Sequence, residues 1–162
     1  MYKFGDIIYS DNLIFEGNIR DKKEKRPCVV LCESDQKGKR KLYVFKVTSK
    51  GKQFKHYPDQ YMLVSKNIKK PKMLSFICYS WAIEVDYNSV HSLNTSLNET
   101  DKKILKEKMR YIINNDENIS KRKKYAFLLK KIRIENSENK KDKTKVLKKH
   151  VNWCLSIGVH IN

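Results

Sequence analysis

Short runs rich in Val, Ile, Tyr and Phe recur at residues 6–9, 28–32, 42–47, 61–65 and 74–85, with Gly-, Pro-, Asp- or Lys-containing turns between them. Runs of this length and composition predict strands. Several of them within the first 95 residues predict a small barrel rather than a βαβ sheet. The interval 10–25 breaks the pattern. It is polar and charged, with Gly17 inside it, and it exceeds a simple hairpin loop. Loops of that size usually carry function or move.

From about Asn98 the period lengthens. Asn98 or Thr100 can cap a helix, Asp101 falls in its first turn, and Leu105, Met109, Ile112 and Ile113 share one face. A second helix is expected from Ser120, carrying Tyr125, Leu128, Leu129 and Ile132 inward. Residues 136–145 are polar and lysine-laden and read as a loop. A third helix then carries Leu147, Val151, Cys154 and Leu155, with Gly158 as its stop signal. The expected class is therefore α+β, mostly β: a small barrel followed by C-terminal helices.

Composition changes the picture in one respect. The 162 residues hold 36 Lys and Arg against 18 Asp and Glu, a formal charge of +18. Such a field favours polyanions, nucleic acid above all. The bases divide evenly between residues 1–95 and 96–162, so neither half is merely a basic tail. The run Lys121-Arg122-Lys123-Lys124 reads equally as a phosphate-binding patch or as the solvated start of a helix. No apolar stretch has membrane-spanning length, and no signal-peptide block opens the chain, so a cytoplasmic protein without a membrane partner is expected.

Cys28 and Cys32 lie four apart in one strand-like run, which predicts side chains on one face, and Cys78 and Cys154 stand alone. Without an accompanying His/Cys cluster the four read as reduced core thiols. No metal and no cofactor are expected.

The chemistry concentrates at two strand ends. Arg26-Pro27 opens the run Cys28-Val29-Val30-Leu31, and Val47-Thr48-Ser49 closes another. Arginine keeps its charge at neutral pH. A guanidinium beside hydroxyls can hold a phosphate whose negative charge grows during reaction. These residues, with the opening Phe4-Gly5-Asp6-Ile7-Ile8-Tyr9, resemble the MazF/PemK toxin family: a Gly-Asp strand, a variable loop, then Arg-Pro and an aliphatic run. Residues 42–47 leading into Thr48-Ser49, then Gly51 and Phe54, are similar to the family's third strand and following loop. Residues 76–86 and 98–113 resemble its later strand and closing helix. The likeness spans about residues 2–113, which sets an expected division into a barrel with its closing helix (1–113) and a basic helical extension (114–162).

The resemblance implies an SH3-like barrel, homodimeric, that cleaves single-stranded RNA without a metal and is restrained by a cognate acidic antitoxin. Attack of a ribose 2′-hydroxyl on the neighbouring phosphorus would leave a 2′,3′-cyclic phosphate and a 5′-hydroxyl. Carried onto this chain, Arg26 would stabilise the phosphorane and Thr48 would hydrogen-bond the scissile phosphate. Ser49, Lys50, Phe54 and Lys55 would contact RNA, Phe54 by stacking a base. Some relatives place an acid, with an arginine two positions earlier, on the strand matched by residues 74–81. Those positions hold Ser80 and Cys78 here. The base is thereby left open. His56 is a candidate because histidine titrates in the useful range, and His91, His150 and His160 have weaker positional claims.

Each assignment has a plainer counterpart. Arg26 can pair with Glu24 or Asp21, Thr48 can cap a turn, Phe54 can fill core and His56 can sit exposed in its loop. The competing function is a non-catalytic basic module that holds nucleic acid, and a structural protein with an acidic partner is a third.

Overall fold

The computed structural model describes residues 1–10, 26–48, 60–62, 75–137 and 140–160. They form two compact units, Met1–Lys103 and Ile104–Asn162. The expected boundary at 113/114 lies at the end of the helix within which the units divide.

The first unit is an antiparallel sheet of six strands: β1 (Asp6–Ser10), β2 (Arg26–Gln36), β3 (Lys39–Thr48), β4 (Gln60–Met62), β5 (Phe76–Asp86) and β6 (Val90–Ser96). Their order is β4-β5-β3-β2-β1-β6. Strands were expected at all of these places except β6, whose sequence VHSLNTS has little apolar signal. It is an edge strand with mostly exposed side chains, so burial imposes no alternation on it. The β2–β3 hairpin turns through Lys37 and Gly38, both at positive φ (54° and 76°), as a two-residue hairpin loop requires. Gly5, at φ 93°, donates its N–H to the Val30 carbonyl and accepts from the Leu97 amide, which gives the Gly-Asp pair a structural reason.

One face of the sheet holds the core cluster Ile8, Cys28, Val30, Leu42, Val44, Val85 and Val90. Strands β5 and β6 lie four ladder steps apart, at least ~19 Å in a flat sheet. Yet only a 3-10 turn of three residues, Tyr87–Ser89, joins them, a reach of about 8 Å. The sheet is therefore strongly curled. Among the described residues no ladder joins β4 to β6, so the curl stops short of a closed barrel.

Bulges shift the faces. In β2, Val30 pairs with Val44 and Cys32 with Tyr43, leaving Leu31 as the extra residue. Cys28 and Cys32 consequently point to opposite faces, which corrects the expectation of a shared one: the bulge reverses the alternation between them. All four cysteines are free thiols, and Cys28, Cys32 and Cys154 are buried.

The helices are α1 (Glu99–Asn115), α2 (Ile119–Glu135) and α3 (Lys140–Ser156). The Asn98 side chain accepts from the Asp101 amide at 2.7 Å, capping α1. In the second unit, Leu105, Met109, Ile112 and Ile113 are buried on α1, and Tyr125, Leu128, Leu129 and Ile132 on α2. Asn118 caps α2, one residue ahead of Ile119. The third helix departs from expectation. It begins at Lys140, inside the segment read as a loop. Lysine is a good helix former, and apolar periodicity cannot register a polar first turn. Its inner face agrees at Cys154, which is buried, but differs elsewhere: His150 is buried, while Leu147 and Leu155 are 36% and 48% exposed.

The basic run at the start of α2 is largely structural. Arg122 donates from Nε to the Ile113 carbonyl (2.6 Å) and from Nη2 to the Ile157 carbonyl (2.8 Å). Lys121 pairs with Asp116 at 2.8 Å and holds that carboxyl below its usual range. Among the described residues no helix is long and apolar enough to cross a membrane.

Candidate functional site

Arg26 is the first residue of β2, and Thr48 the last of β3. The β2–β3 ladder ends at Cys28↔Lys46, next to Pro27, which has no N–H to extend it. The same register carried outward by two residues sets Arg26 opposite Thr48. Flanking strands continue the row: Ser10 of β1 pairs with Arg26 on one side and Val90 on the other, and Thr48 pairs with Phe76.

Cross-strand partners share a face, and so do residues two apart along a strand. Ser10 follows Ile8, Arg26 precedes Cys28, and Ser10 pairs with Val90, so the row lies on the face of the core cluster, one step beyond it. Arg26 is half-buried and Thr48 is 9% exposed.

Two residues missed in the sequence lie in this row or one step inward of it. Ser10 is fully buried, and its hydroxyl is the one buried side-chain oxygen or nitrogen without a hydrogen-bond partner among the described residues. A buried hydroxyl left unmade costs about 1–3 kcal/mol, so its retention needs a reason. Lys46 is the second. It pairs with Cys28 and with Cys78, and its charge offsets part of the burial that pushes the Cys28 thiol up to about 12. The signal for Lys46 was present as a cation among Leu42, Val44 and Thr48 on one strand face. Ser10 gave none, because a serine at the start of a polar loop is commonplace.

The positions that match the family's acid and arginine fall in an irregular part of β5. Lys46 pairs with Cys78 and Val44 with Ile83, so Tyr79, Ser80, Trp81 and Ala82 stand against Phe45 alone. Such an insertion bends the strand and re-aims its side chains. Ser80 is half-buried, and Trp81 is 63% exposed.

Ser49, Lys50, Phe54, Lys55 and His56 lie outside the described residues, as do Asp21 and Glu24. His91 is exposed on β6, opposite Tyr9. His160 is exposed near the chain end. His150 is fully buried in the second unit. Its Nδ1 lies 2.8 Å from Arg133 Nη1 and its Nε2 lies 2.9 Å from the Ala126 carbonyl. A guanidinium only donates, so Nδ1 accepts and Nε2–H donates to the carbonyl. Burial first, then the Arg133 charge, lowers its pKa to about 4. That makes it a neutral structural group.

Arg26, Thr48 and Ser10 at the strand ends, with Lys46 one step inward on the same face, thus bring two cations and two hydroxyls to one end of the sheet, a donor set suited to a phosphate group. Among the described residues no group of three His, Cys, Asp or Glu side chains is placed to hold a metal ion. No protein-family model matches the chain, and no curated protein matches it.

Proposed function

We propose that this chain is an endoribonuclease of the MazF/PemK toxin kind, cutting single-stranded RNA by attack of the 2′-hydroxyl on the adjacent phosphorus. The observation that carries the reading is that Ser10 pairs with Arg26 at the end of β2 where β3 ends in Thr48, two residues beyond the last ladder pair Cys28↔Lys46. Arg26 and Lys46 stabilise the charge that develops on the phosphorane oxygens, and the hydroxyls orient the phosphate. Lys46 pairs with Cys78, the position at which some relatives carry arginine, so a neighbouring strand supplies a cation there. His56 is the first candidate for the base. The strong curl of the six-stranded sheet is the feature that favours an SH3-like barrel. A homodimer and an acidic antitoxin as its inhibitor complete the proposal.

The purified protein is expected to cleave unstructured RNA in the presence of EDTA, giving 2′,3′-cyclic phosphate and 5′-hydroxyl ends. Activity lost on chelation and restored by magnesium would remove the metal-free mechanism.

One observation favours a second reading. Ser80 and Cys78 stand where an acid and an arginine are expected. A row that retains phosphate donors without a base would hold RNA without cutting it. Retention of RNA with no cleavage by the wild type would select that binding module.

A further inference from the structure

Within the second unit an open pocket of about 700 Å³ lies among the three helices. Each helix sends a cation to it: Arg110 from α1, Arg133 from α2 and Lys149 from α3. Asn114, Asn136 and Trp153 also line it, and among the described residues none of the lining side chains is a carboxylate. Arg133 is held from behind by a neutral acceptor, His150 Nδ1 at 2.8 Å, and its guanidinium carbon sits 5.5 Å from the Trp153 ring centroid. Its anchor therefore fixes the cation without cancelling its charge. Burial and the nearby Arg110 both press on that charge, lowering its pKa.

We propose that this pocket binds a nucleotide unit of single-stranded RNA, its phosphates taken by Arg110, Arg133 and Lys149 and its base set against Trp153. Cations alone would accept any polyanion. An aromatic wall and the side-chain amide of Asn114 add what a base needs, a stacking surface and a group that reads its edge, while Asn136 already donates from Nδ2 to the Ile132 carbonyl. An acidic peptide would use the cations and leave the indole and amide idle. The volume lies within the range of ligand sites and suits one or two nucleotides. The assignment shares only its ligand class with the proposed nuclease site and rests on different residues in a different unit.

The test uses the full chain carrying Arg26→Ala, so that RNA stays intact, and Trp81→Phe, so that Trp153 is the only tryptophan. Titration with a short oligouridylate is expected to quench Trp153 emission in a saturable manner. Adding Arg110→Ala and Lys149→Ala, both at exposed positions, should weaken that binding about tenfold or more, with the circular dichroism spectrum unchanged. Lys148→Ala on the same helix should leave it within twofold. Unaltered Trp153 emission, or an affinity that survives the double substitution, would overturn the assignment. A poly-glutamate peptide that quenches Trp153 and displaces the RNA would overturn it too, in favour of an acidic protein partner. Absence of RNA cleavage by the wild type would defeat the nuclease reading and leave this one standing.

Discussion

At the scale of single residues, the informative feature is a conflict between stability and use. Among the described residues the buried Ser10 hydroxyl has no partner, so it carries a desolvation cost that none of them repays. Ser10→Ala should therefore raise the melting temperature slightly, by the equivalent of about 1 kcal/mol, while slowing RNA cleavage. A parallel loss of stability and activity would make Ser10 an ordinary core residue. Arg26 and Thr48 were legible because each is a polar residue ending an apolar run, and the resemblance gave them roles. Lys46 was hidden by its surroundings: one lysine among so many draws no notice until the ladder sets it between Cys28 and Cys78. Charge patterning that is uniform along a chain cannot distinguish a functional cation from a solvating one.

At the scale of elements, apolar periodicity found the strands with buried faces and the helices with apolar stripes. It missed β6, which is exposed at an edge, and the first turn of α3, which is polar. The inner face of α3 holds Cys154 as expected but differs at Leu147 and Leu155, because a neutral histidine takes a core position. That histidine makes the second unit acid-sensitive. With the folded pKa near 4 and the unfolded value near 6.5, the unfolded chain binds the extra proton between them. Stability should fall as pH drops from about 6.5 to 4, by on the order of 2 kcal/mol, and His150→Gln should flatten the dependence in chemical denaturation followed by helical circular dichroism. An unchanged slope would mean that His150 titrates normally. Arg122 joins the ends of α1 and α3 through two carbonyls. Its replacement by alanine should cost about 2–4 kcal/mol in the same measurement, because charged donors make the stronger hydrogen bonds. Lys123→Ala, exposed on the same turn, should stay within about 0.5 kcal/mol. Equal effects would restore the whole basic run as a surface patch.

At the scale of the whole molecule, the charge of +18 spreads over both units, and an RNA contact is proposed for each. The α+β class was legible because the hydrophobic period changes once, near Asn98. The curl was not, since it follows from which strands pair, and pairing between distant segments leaves no local mark. Nor was the row itself, because Ser10, Arg26 and Thr48, with Lys46 one step inward, meet only through the register of three strands. The central claim is that this row is a reaction centre rather than a binding surface. The direct test is the single-turnover cleavage rate of unstructured RNA at saturating protein, comparing wild type with Arg26→Ala after both are shown folded by circular dichroism. Saturation removes affinity from the comparison, so the rate reports stabilisation of the phosphorane alone. Loss of a charge-stabilising donor predicts a fall of roughly a hundred- to a thousandfold. A variant that cuts within about threefold of the wild-type rate would contradict the account, because stabilisation of a developing phosphorane charge is worth several kcal/mol and cannot be lost silently.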